Sequence, residues 1–156
     1  MSKLIATDSP FSAGQLAALP LLLDLIIPEE PERGLPSAAD VGFVEFLTDY
    51  APDSVQGIRA ELDELQLAAV QQHNCAFEGL AKGEREALVN QLRQANPAFA
   101  QTLANRLMHC YYQDESVMRS LGLAPRAPFP EGHEVEPGDL TLLEPVRLRG
   151  RLYREA

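Results

Sequence analysis

His73-x-Cys75 and the adjacent pair His109-Cys110 are the residues of this sequence whose types could hold a metal ion. Two imidazoles and two thiols are the soft donor set of a tetrahedral zinc site. Their spacing argues against it, because neighbours on a helix point about 100° apart and His109 and Cys110 then turn away from a common ion. The sequence therefore predicts unmetallated thiols, either joined as a Cys75–Cys110 disulfide or separate and buried or half-buried, burial being the commonest fate of free cysteine. Whether either thiol is reactive depends on its pKa and exposure, which the sequence does not show.

Other chemistry is harder to find. Glu84, Glu86, Asp114 and Glu115 fall where helix starts favour negative charge, so capping and solubility account for them better than general acid–base work. Gly79-x-x-x-Gly83 lacks the third glycine and the strand–loop–helix setting of a dinucleotide fingerprint. No C-x-x-C-H haem attachment and no G-x-S-x-G nucleophile elbow occur. No catalytic residue, no cofactor-binding residue and no cofactor are therefore expected on this chain. Tyr111-Tyr112 reads either as a half-buried aromatic pair or as an anchor for a partner.

The elements around these residues read as helices. Ser12-Ala13-Gly14-Gln15 has the form of a capping box, and Leu16, Leu19, Leu22, Leu23 and Ile26 follow at helical spacing, predicting a helix over residues 12–26. Pro20 should kink or interrupt it, and Pro28 should end it. Residues 28–36, with three prolines, a glycine and four charges, read as a loop. Residues 37–40 offer a second cap, with Val41, Val44, Phe46 and Leu47 as the apolar stripe of a helix to about residue 50. Pro52 suits the first turn of a third helix, which Ile58, Leu62, Leu65, Ala69 and Val70 carry to about residue 73.

A fourth helix spans residues 84–94, with Leu88, Val89 and Leu92 inside. Asn96-Pro97 caps and starts a fifth that runs to about residue 112, with Phe99, Leu103, Leu107 and Cys110 on its inner face. Asp114 caps a short sixth over residues 115–121, and Gly122 stops it. The fold class is thus all-α: an irregular bundle of about five to six helices in residues 1–122, then a Pro-rich, mostly non-helical C-terminal arm in residues 123–156.

That arm poses a burial problem. Pro125, Pro128, Pro130, Pro137 and Pro145 fall in the 23 residues 123–145, yet Phe129, Val135, Leu140, Leu142, Leu143, Val146, Leu148, Leu152 and Tyr153 all need cover. Either the arm wraps its own helices or it serves another chain. In the second case Tyr111, Tyr112, Arg119, Arg126 and Phe129, beside its start, are the candidate anchors, and Arg147, Arg149 and Arg151 would meet acidic groups at the rim.

Composition narrows the partners. Thirteen Lys and Arg against 23 Asp and Glu give a net charge of −10, which repels phosphate backbones and anionic lipid heads. The longest apolar stretch, residues 16–27, is broken by Pro20 and Asp24 and falls short of the ~18–20 residues of a membrane span. Residues 1–10 carry one lysine, no arginine pair and no small-residue cleavage site, so the chain is expected in the cytoplasm, or in the periplasm only if exported with a partner.

The order of these motifs resembles the gluconate 2-dehydrogenase subunit 3 family. The matching residues are Leu23-Asp24-Leu25-Ile26-Ile27-Pro28 with the acidic Pro/Gly loop behind it, then Ala39-Asp40-Val41-Gly42-Phe43-Val44-Glu45-Phe46-Leu47. Phe77-Glu78-Gly79-Leu80, Glu84-Arg85-Glu86-Ala87-Leu88 and Tyr111-Tyr112-Gln113-Asp114 before Leu121-Gly122 continue the pattern over about residues 16–130. The resemblance implies a non-catalytic helical small subunit that binds a large flavoprotein dehydrogenase of glucose–methanol–choline type, stabilising or maturing it, with FAD on that partner. Small subunits of this family often carry a twin-arginine export signal, and this sequence departs from that pattern. The competing readings are a standalone helical regulatory or binding protein and, less favoured, an enzyme whose site forms only in three dimensions.

Overall fold

A computed structural model describes residues 9–126, 132 and 137–149 of the 156. The chain divides into two compact units, Met1–Pro125 and Arg126–Ala156.

In the first unit α1 (Ala13–Ile26) begins as its capping residues require. Ser12 Oγ accepts from the Gln15 N–H at 3.3 Å, and Gln15 Oε1 accepts from the Ser12 N–H at 2.9 Å. The helix continues through Pro20, which does not interrupt it. Pro20 is exposed, where water can stand in for the missing donor, while Ala18, Leu19, Leu22 and Leu23 hold the other side in the core.

The loop after α1 contains a 3-10 turn (Pro31–Arg33) and a lone antiparallel bridge between Glu30 and Leu35, closed through Gly34 at φ +65°, a conformation that favours glycine. Tyr111 Oη donates to the Pro36 carbonyl at 2.8 Å and Ser120 Oγ to the Gly34 carbonyl at 2.6 Å, so two distant helices clasp the loop.

The next helix, α2 (Phe43–Tyr50), starts later than the sequence suggests. Ser37 does not cap it: its hydroxyl donates to Asp24 Oδ1 at 2.6 Å and accepts from the Ala39 N–H, shaping a turn before the helix. Phe43 and Leu47 are its buried residues, with Val44 and Phe46 half-buried.

Pro52 opens α3 (Pro52–His73), which ends at Asn74 in the left-handed region, φ 54°. This helix is the hub, packing against α1, α2, α4 (Lys82–Ala95) and α5 (Pro97–Tyr111). Ile58, Leu62, Leu65 and Ala69 are its buried stripe, whereas Val70, counted into that stripe by spacing, is 49% exposed. Residues i and i+1 point about 100° apart, so Ala69 and Val70 could not both face the core squarely.

A 3-10 turn (Phe77–Gly79) then packs on α1 and α3. Gln66 of α3 organises it: Gln66 Oε1 accepts from the Phe77 N–H at 3.0 Å and Gln66 Nε2 donates to Glu78 Oε2 at 2.9 Å. A Cβ at Gly79 would lie 3.1 Å from Cys75 Sγ, a tight contact that the thiol would have to relieve by a few tenths of an ångström. Glu84 Oε2 accepts from the Ala81 N–H at the start of α4, and Asn96 Oδ1 from the Phe99 N–H at the start of α5. Asp114 Oδ1 likewise accepts from the Ser116 N–H at 2.8 Å to open α6 (Glu115–Ser120), and Gly122 at φ +75° follows its end.

The second unit is more helical in its described part than its prolines suggest. A 3-10 turn (Leu140–Leu143) runs into the single-turn α7 (Glu144–Arg147). Asp139 Oδ1 accepts from the Thr141 N–H at 3.0 Å, and Pro145 falls in the first turn, where its lack of an N–H is harmless.

Candidate functional site

The two thiols lie at separate places. Cys75, just beyond α3, is half-buried and donates to the Ala76 carbonyl at 3.2 Å, while Cys110 is buried in α5, and both are free. His73 Nδ1 sits 3.5 Å from Glu84 Oε1, and His109 is exposed. Among the described residues no three His, Cys, Asp or Glu side chains are grouped so as to hold a metal ion.

Burial first, then the carboxylates of Asp114 and Glu45, pushes the Cys110 thiol up to about 11. At pH 8 it then carries roughly 200-fold less thiolate than an ordinary thiol of pKa ~8.5. A thiol reagent added to the native chain is expected to modify Cys75 promptly and Cys110 only on unfolding; equal rates would show that α5 opens readily. Since the unfolded thiol ionises near ~8.5 and the folded one near about 11, its contribution to stability is complete below ~8.5 and is lost as pH rises through 11.

The candidate anchors separate by exposure. Tyr111 is 2% exposed and spends its hydroxyl on Pro36, with burial first and then Tyr112, Glu30 and Asp114 pushing its phenol above the ordinary range. It therefore presents no surface. Tyr112 stacks edge-on against it, ring centroids 5.4 Å apart, and is 55% exposed. One step along a helix turns one ring inward and its neighbour outward. Arg119 is exposed and ion-paired with Glu115 at 2.6 Å, a bond within α6.

In the second unit Arg126 Nη2 donates to the Gly132 carbonyl at 2.8 Å. Arg147 at the end of α7 and Arg149 in the turn after it are exposed, on the same run that exposes Leu140, Leu142, Leu143, Val146 and Leu148. Phe129 and Arg151 lie outside the described residues.

One feature of the first unit is not among those anchors. A groove of about 410 Å³ is lined by Leu16, Leu19, Pro20 and Leu23 of α1, by Ala39 and Val41, and by Phe43, Val44, Glu45, Thr48 and Asp49 of α2, with Ser9 and Pro10 at its edge. Leu19, Leu23, Val41 and Phe43 are buried beneath it, and Pro20, Glu45, Thr48 and Asp49 are exposed around it.

Two physical oddities coincide there. The only polar side chains of α1, Gln15 and Asp24, are both turned to internal partners: Gln15 Nε2 to Asp63 Oδ1 at 2.8 Å, and Asp24 to Ser37. A helix without a polar face is normally covered all round; here Leu21 and Leu25 join the buried stripe in packing on the core, while Ala17 and Pro20 are left exposed. On α2, Glu45 and Asp49 stand four residues apart, a like-charge spacing that destabilises a helix by about 0.2–0.5 kcal/mol, and Asp49 lies in the last turn where the dipole disfavours an anion. Among the described residues neither carboxylate has an ion-pair partner. The α1 wall of the groove is made by Leu16, Leu19 and Leu23 of the apolar stripe that the sequence already shows, so no separate signal in the sequence marked it as open.

Comparison with protein families matches residues 13–124 to the family described as gluconate 2-dehydrogenase subunit 3. No curated protein and no solved structure matches the chain.

Proposed function

The chain belongs to the gluconate 2-dehydrogenase subunit 3 family, and from that premise we propose that it is a non-catalytic accessory subunit. It binds a large FAD-dependent sugar or alcohol dehydrogenase subunit of glucose–methanol–choline type and stabilises or matures it. FAD resides on that partner, and the chain meets it in the cytoplasm unless the two are exported together.

The observation that carries this reading is the run from Leu140 to Arg149. Five large apolar side chains stand exposed there beside two exposed arginines. Apolar anchors flanked by cations are what an acidic-rimmed groove on another protein would recognise, with the arginines steering the approach and fixing register. No described helix is long and apolar enough to cross a membrane, so this proposal gives the apolar run a protein partner.

The test is to purify the tagged chain from its native source and identify what travels with it. We expect a stoichiometric flavoprotein whose oxidised-flavin spectrum leaves with the large subunit when the two are separated. A flavin spectrum that stays with this chain, or a chain that purifies alone while the flavoprotein is present in the same extract, would overturn the proposal.

A further inference from the structure

We propose that the groove between α1 and α2 is a second docking surface for the same partner, which seats a segment carrying apolar side chains flanked by lysine or arginine. This rests on the accessory-subunit reading and deepens it, because it assigns the helical unit a contact separate from the C-terminal run.

Three observations converge on the groove. Its walls are apolar from both helices, with Leu16 and Val44 half-buried and Pro20 exposed. The helix that forms one wall has no polar face to offer water, which is the pattern of a helix covered on both sides. The exposed carboxylates of Glu45 and Asp49 line the other wall with no cation of this chain set against them among the described residues. Apolar contact gives such a surface its affinity, and the two carboxylates select an occupant that is basic at its edges.

Other occupants fit less well. A small molecule of suitable volume would need several convergent polar groups to fix its orientation, and the groove supplies its polar side chains from one helix face and from Ser9 at the edge. A second copy of this chain would bring a further net charge of −10 towards an acidic rim. A basic, apolar segment of a different chain satisfies both the walls and the rim.

The experiment uses the full chain in complex with the flavoprotein subunit. Glu45→Lys and Asp49→Lys are introduced together, at exposed positions, and a photo-crosslinking residue is placed separately at Thr48, with one at exposed Gln91 on α4 as control. We expect the double reversal to weaken the complex at least tenfold at low salt, with the difference shrinking as salt rises, while the thermal melt of the isolated chain is little changed. The adduct from position 48 should map to a Lys- or Arg-bearing segment of the large subunit, and position 91 should give none.

Unchanged affinity, or an adduct from position 48 to a second copy of this chain, overturns the groove assignment while leaving the accessory reading intact. If the unaltered chain fails to bind the flavoprotein at all, the accessory reading falls and the groove assignment falls with it.

Discussion

Removing residues 126–156 is expected to weaken binding to the large subunit about 100-fold or more and to shift the thermal midpoint of the remaining helical unit little. Leu140, Leu142, Val146 and Leu148 are between 55% and 87% exposed, and Leu143 is 46% exposed. Each such side chain, once fully buried, contributes about 1.5–3 kcal/mol, so two of them suffice to supply the roughly 2.7 kcal/mol that a hundredfold loss represents. The remainder is absorbed by the ordering and desolvation that association requires. The helical unit, for its part, has its own continuous core, from Phe11 on the α1 side to Val117 in α6. Full-length and truncated chains compared by thermal melt and by titration with the large subunit check both halves of the expectation. Collapse of the truncated fold, or unchanged affinity, would make the C-terminal run a structural element of this chain.

The largest effect on stability is expected from Phe77→Ala. Phe77 is fully buried in the turn that packs on both α1 and α3, so truncating it leaves a void where two helices and a turn meet. Aromatic-to-alanine changes of this kind cost about 3–5 kcal/mol, which for a chain this size lowers the thermal midpoint by roughly 10 °C or more. The backbone also resists collapse into the void, because the Phe77 N–H is held by Gln66 and the same Gln66 amide bonds Glu78. Val70→Ala, on the exposed side of α3, serves as the contrast and is expected to change stability by no more than about 0.5 kcal/mol. Comparable losses in the two variants would mean that the 77–79 turn is loosely attached.

Those two residues also show which parts of the fold were legible in the sequence. Caps were legible because their chemistry is local: Ser12 with Gln15, Asn96 with Pro97, and Asp114 all cap the helices their spacing assigns them. Ser37 was misread for the opposite reason, since its hydroxyl is claimed by Asp24, thirteen residues earlier, a partner no local pattern reveals. Pro20 would break an isolated helix, but buried neighbours on the far side of α1 hold the helix together through it. Val70 and Tyr111 each sit one step from a residue of the opposite exposure, and spacing alone does not decide which of two adjacent apolar residues faces inward. The groove belongs to neither α1 nor α2 separately; residues of both helices and of the segment at 39–41 surround one space, and the pattern of neither helix alone marks it. The helical stretch at 140–147 was hidden by Pro145, whose position turns out to suit a first turn.

The clasp on the acidic loop bears on how fast a partner could be found. Glu29, Glu30 and Glu32 project from a segment whose carbonyls at 34 and 36 are already held by Ser120 and Tyr111. Fixing nine loop residues only at the moment of contact would set on the order of 10 kcal/mol of lost backbone freedom against association. Here that ordering belongs to the free chain, so an approaching cationic surface meets a standing negative field rather than a segment that must first settle. Encounter would then be governed by diffusion and long-range attraction, its rate rising as salt is lowered and owing little to any slow rearrangement of the loop.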